Sequence, residues 1–106
     1  MQKDKILSML GLAAKAGKIA SGEFSTEKAV KSGQAFLVVI SAEASENTKK
    51  MFRNMCSFYQ VPIGIYASKE ELGHAIGRQY RASLAVLDEG FAKNLVERLK
   101  IADKME

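Results

Sequence analysis

Tryptophan is absent from this chain, and cysteine, proline and histidine each occur once. The lone Cys56 rules out an internal disulfide and suits a reducing compartment, so a cytoplasmic location is expected. One histidine, His74, far in sequence from Cys56, leaves no clustered ligands for zinc, and no metal is expected. Long apolar runs are missing too. The longest, Ala35 to Ile40, is too short to cross a bilayer, and Met1-Gln-Lys-Asp-Lys-Ile-Leu7 lacks the apolar stretch of a targeting signal. No low-complexity segment, linker or internal repeat interrupts the 106 residues, which read as one domain over 1–106.

Catalytic chemistry is equally scarce. Cys56 is spaced with Phe52 and Tyr59 as a packing residue would be, and His74 lies mid-helix between Gly73 and Ala75. Gly11-Leu-Ala-Ala-Lys-Ala-Gly17-Lys18 approaches a phosphate-binding loop but is one residue too long. Ile19 stands where the metal-binding Ser or Thr belongs, and a helix precedes it instead of a strand. No cofactor and no enzymatic activity are expected.

What is present is a net charge of +4, distributed unevenly. Residues 1–53 hold nine Lys or Arg against five acidic residues, whereas residues 54–106 hold seven of each. A basic face of this kind attracts phosphate backbones, although it also serves simply to keep a protein in solution.

Periodicity divides the chain into alternating helices and strands. Ile6, Leu7, Leu10, Ala13 and Ala14 lie at helical spacing before Gly17, and Lys18-Ile-Ala20 forms a short edge strand. Ala35 to Ile40 is a strand covered on both faces. Thr48, Met51, Phe52, Met55 and Tyr59 form the inner face of a helix over 45–59, and Val61 to Tyr66 is the next strand. Ser68 and Glu71 make a capping box, Ala82 to Leu87 is a last buried strand, and Asp88 caps a final helix. The fold expected is an α/β/α sandwich in three layers, with a mixed sheet of about four strands.

The segment Gly22-Glu-Phe-Ser-Thr-Glu-Lys-Ala-Val-Lys-Ser-Gly33 is a short helix between two glycines, carrying Lys28 and Lys31. The start of a helix presents unpaired N–H groups and a positive dipole end, both suited to a phosphate. Three further stretches keep the same order with it: Gly17-Lys-Ile-Ala-Ser-Gly22, Phe36-Leu-Val-Val-Ile-Ser-Ala-Glu43 and Ala67-Ser-Lys-Glu-Glu-Leu-Gly73 with Ala75 and Gly77. Together they resemble the kink-turn-binding ribosomal protein family, most closely its bacterial YlxQ-type branch, over nearly the whole chain.

The resemblance implies an RNA-binding protein that holds a kinked internal loop with sheared G·A pairs in its bent form. The expected partner is ribosomal RNA, with ribosomal proteins as further partners and no membrane. In the family an Asn-Glu pair and a following Lys read the loop. Lys28 matches the lysine, but Phe24 stands at the Asn position and Ser25 at the Glu position. Phe24 has two readings, packed in the core or stacked on RNA. Gly22 and Glu23 begin the helix, and Lys18, Lys28 and Lys31 are the expected phosphate contacts. The loop Gly77-Arg-Gln-Tyr-Arg-Ala82 adds Arg78 and Arg81 for phosphates and Tyr80 for stacking on a base. The alternative function is a protein-interaction module on the translation machinery that has lost kink-turn reading.

Overall fold

Four consecutive apolar residues are stable as a strand only where both faces are covered. Leu37–Ile40 meets that condition, being buried at every position. The computed structural model describes residues 4–101. Their elements, in order, are α1 (Lys5–Lys15), β1 (Ile19–Ser21), α2 (Glu23–Lys31), β2 (Leu37–Ile40), α3 (Glu46–Tyr59), β3 (Ile63–Ile65), α4 (Lys69–Ala75), β4 (Ser83–Val86) and α5 (Glu89–Leu99).

The strands form one mixed sheet in the order β1-β4-β2-β3. β4 pairs antiparallel with both β1 and β2, while β2 and β3 run parallel across the α3 connection. Alternate residues of β2 feed two separate cores. Val38 and Ile40 pack with Ala29 and Val30 of α2 and with Phe52 and Cys56 of α3. Leu37 and Val39 pack with Leu10 of α1, Leu72 of α4 and Leu95 of α5. The result is a three-layer α/β/α sandwich.

Four helices open on an acidic or hydroxyl cap. Asp4, Ser45, Ser68 and Asp88 each accept a hydrogen bond from the amide three residues on. At α4 the capping box is complete, since Glu71 Oε1 also accepts from the Ser68 amide at 2.9 Å. Asp4 also ties α1 to the end of β3: its Oδ2 accepts from Tyr66 Oη at 2.5 Å. Desolvation pulls the Asp4 carboxyl upward, but the hydrogen bonds from Tyr66 and the Leu7 and Ile6 amides outweigh it and hold the group below its ordinary value. The same bond to Asp4, together with burial, pushes Tyr66 up to about 12.

The inner face of α3 is narrower than the spacing alone suggests. Phe52 and Cys56 are buried, but Tyr59 is 40% exposed and Phe58 79%. α3 is about 20 Å long at ~1.5 Å per residue, whereas the four residues of β2 beneath it span about 10 Å at ~3.3 Å per step. Its last turn therefore projects past the sheet. Burial raises the Cys56 thiol to about 12, so it stays protonated and serves as packing.

Two expectations follow. Phe52→Ala should lower stability by about 3–5 kcal/mol in urea denaturation, while Phe58→Ala, two turns on, should change it by no more than about 0.5 kcal/mol. The depressed Asp4 value gives stability that is present above its ordinary range and lost as pH falls through the folded value. The raised Tyr66 value gives stability present below about 10 and lost as pH approaches 12. Tyr66→Phe should weaken the acid-side dependence and abolish this contribution on the alkaline side, read from denaturation midpoints across pH.

Candidate nucleic-acid interface

Strand pairing determines which loops meet. Ser21 is opposite Leu84 and Ile40 is opposite Ser83, so the ends of β1 and β2 lie beside the start of β4. The Gly22 amide donates to Ser83 O at 2.9 Å and the Ser41 amide to Ala82 O at 2.8 Å. This end of the sheet thus collects the start of α2, the β2–α3 loop and the α4–β4 loop.

At α2 the helix start differs from the other four. Its cap is Gly22, with φ 93° and ψ 160°, and no side chain bonds the first amides. That backbone conformation is almost restricted to glycine. It turns the chain directly from β1 into α2 and leaves the amides of Glu23, Phe24 and Ser25 without a side-chain cap. Glu23 is exposed in the first turn, where an acidic side chain favours the helix dipole.

The buried side of α2 is Thr26, Ala29 and Val30. Phe24, Lys28 and Lys31, at positions i, i+4 and i+7, share the opposite side. Phe24 is 78% exposed, which overturns the core reading. Ser25 and Lys28 are exposed as well, and Lys28 has no ion pair among the described residues. Lys31 Nζ sits 2.7 Å from Glu27 Oε2, whose carboxylate holds the lysine above its ordinary value. A surface pair of this kind is weak and screened by salt, so a phosphate can compete for the lysine.

The α4–β4 loop is held by backbone contact. The Arg78 amide donates to Gly73 O at 2.7 Å, and the Arg81 amide to Lys69 O at 3.0 Å. Gly73 is needed because a Cβ there would lie 2.6 Å from Gln79 C and O and 2.7 Å from Tyr80 N. Arg78 and Tyr80 are exposed, Tyr80 by 61%. Arg81 is half-buried and partly committed: its Nε donates to Ser21 Oγ at 3.0 Å and its Nη1 to Tyr80 O at 2.7 Å. It links this loop to the end of β1, one residue before Gly22.

Gly22, Glu23, Phe24, Ser25, Tyr80 and Arg81 thus belong to segments that meet at one end of the sheet, with Lys28 one turn along α2 and Arg78 in the same loop as Tyr80. Lys18 is not brought there. Its carbonyl accepts from the Leu87 amide at 2.8 Å, at the far end of β1. Four residues of extended chain put it about 13 Å from Gly22, at ~3.3 Å per step. Lys31 is two turns from the helix start.

Two parts of this end escaped the sequence reading. Ser21, the partner of Arg81, has no distinguishing spacing. The β2–α3 loop is tied to the β3–α4 loop: Ser41 Oγ donates to Ala67 O and accepts from the Glu43 amide, both at 3.0 Å, and Glu43 Oε1 accepts from the Lys69 amide at 3.0 Å. Only the buried polar Ser41 closing an apolar strand hinted at this. Among the described residues there is no cluster of three metal-ligating side chains, and no helix is long and apolar enough to cross a membrane.

Residues 4–96 match the model of the ribosomal protein L7Ae/L30e/S12e/Gadd45 family. The chain belongs to this family. Among its L7Ae-family relatives is the RNA-binding protein YlxQ of Bacillus subtilis, 40% identical over 91 residues, which are 86% of this chain and 91% of that protein. The RNA-binding protein YlxQ of Enterococcus faecium is 35% identical over 98 residues, 92% of this chain and 94% of that protein. A solved structure of a protein with unknown function from Bacillus halodurans superposes with a TM-score of 0.90 at 39% identity, covering 92% of this chain and 99% of that one. The 15.5kD RNA-binding protein of Giardia lamblia shares the fold, with a TM-score of 0.79 at 21% identity over 94% of this chain and 92% of its own.

Gly73→Ala should be destabilising by about 1–3 kcal/mol through overpacking against a backbone that has no rotamer to move. Amide chemical shifts should change most at Arg78–Arg81, and an unchanged loop would show that the close approach is not limiting.

Proposed function

We propose that this chain is an RNA-binding protein, not an enzyme, that recognises and holds kink-turn RNA at the α2 end of the sheet. It works in the cytoplasm as a single domain over 1–106, without a cofactor, on ribosomal RNA, with neighbouring ribosomal proteins as further partners. The observation that carries the reading is the uncapped start of α2. Three amides without a side-chain cap, a positive dipole end, exposed Phe24 and Lys28, which has no ion pair among the described residues, lie on one short helix. Such a helix start receives phosphate oxygens directly. Membership of the family, and the RNA-binding names of the two YlxQ relatives, support the same conclusion.

Phe24 and Ser25 at the family's Asn and Glu positions change how the RNA is read. A phenyl ring stacks on any base and carries no donor pattern, and one serine hydroxyl makes at most a single base contact. Selection therefore rests on which RNA bends at low energy, with phosphate contacts from Lys28, Lys31 and Arg78 supplying affinity. Tyr80 adds a second stacking surface, and Arg81 divides its guanidinium between Ser21 and the ligand. The same two departures are the specific support for the alternative, a protein-interaction module that binds RNA without regard to shape.

The decisive measurement compares a standard kink-turn RNA with a control whose tandem G·A pairs are replaced by Watson–Crick pairs. The expected preference is at least about tenfold, or ~1.4 kcal/mol. With about three phosphates neutralised, the logarithm of affinity should fall against the logarithm of salt with a slope near −3, at ~0.9 per phosphate. Lys28→Ala should weaken binding and shallow that slope by about one unit. Equal affinity for both RNAs would favour the interaction module.

A further inference from the structure

The exposed side of α2 continues onto a second aromatic surface. α2 and α3 pack side by side on the same face of the sheet. Each runs antiparallel to the strand before it, and β1 and β2 are both antiparallel to β4, so the two helices are parallel. Lys31 lies at the end of α2 and Tyr59 at the end of α3, and after Glu27 the Tyr59 phenol adds a small upward pull on the Lys31 amine. Beside Tyr59, Phe58 makes an edge-to-face pair with it, centroids 4.9 Å apart and planes at 78°. Phe24 and Phe58 are the most exposed large apolar side chains among the described residues, at 78% and 79%.

We infer that a single-stranded RNA flank leaving the bound bend runs along the outer side of α2 and stacks on Phe58. The inference rests on the RNA-binding reading above. Phe24 and Lys31 are about 10 Å apart along the helix at ~1.5 Å per residue, about three nucleotide steps at ~3.4 Å per strand step. An aromatic ring at each end with two lysines between them is the composition of a single-strand track, where stacking tolerates any base and cations follow the backbone. The centres of protein–protein interfaces are instead depleted in lysine. Glu27 sits on the same side, but its bond to Lys31 is a weak surface pair.

The test uses the full chain and six RNAs: a blunt kink-turn duplex, its Watson–Crick control, and each of these with an oligoadenosine extension of about six nucleotides at one strand end or at the other. The wild type should bind at least one extended RNA about fivefold or more tightly than its blunt counterpart. Phe58→Ser should remove that gain and leave blunt-RNA affinity unchanged, while Phe58→Tyr should keep it. No gain from either extension, as expected if the patch serves a protein partner, overturns the inference, and so does a gain that survives Phe58→Ser. Loss of kink preference with the extension gain intact would overturn only the earlier reading.

Discussion

The position of β4 between β1 and β2 is the constraint on which the rest of the molecule depends. β4 is buried along its whole length and bonded on both edges in antiparallel register. Moving it by one residue would exchange Leu84 and Val86, which belong to one core, with Ser83 and Ala85, which face the other. The same register puts Ser83 beside both Gly22 and Ile40 and thereby draws three loops to one end. The chemistry of α2 is local to a dozen residues, but its neighbourhood comes from strands far away in sequence.

That distinction explains what could be seen in the sequence. Helix starts are chemical and local, so Ser68 with Glu71 and the Asp88 cap were recognisable from residue type and spacing, as was the uncapped Gly22 start. Strand existence was also legible, though the ladders are shorter than the apolar runs: Ile63–Ile65 within Val61–Tyr66, and Ser83–Val86 within Ala82–Leu87. Strand order was not legible, because pairing joins segments such as β1 and β4 that are more than sixty residues apart. The position of Lys18 was lost for the same reason. The resemblance made it an expected phosphate contact, and extended backbone carries it to the other end of β1.

Exposure of the aromatic residues was the second gap. Tyr59 has the spacing of an inner-face residue, yet α3 outruns the sheet and leaves it half in solvent. Phe24 has no periodicity that distinguishes core from surface within a nine-residue helix. The resemblance to the L7Ae family located α2 but did not determine which way Phe24 faces, because the family residue at that place is polar. Packing alone decides such cases, and packing is a property of neighbours that the sequence does not name.

Gly22 sets stability against the proposed RNA contact at a single backbone position. A serine or aspartate cap there would ordinarily strengthen a helix, as at the four other starts. At φ 93° that improvement is closed to ordinary side chains, and a cap that did form would occupy the amides that the proposed RNA contact uses. The free protein therefore retains a start to α2 that is weaker than it need be. Selection for thermal robustness has the core and the remaining four caps on which to act, whereas at this turn a stronger cap and the proposed anion contact would compete for the same amides.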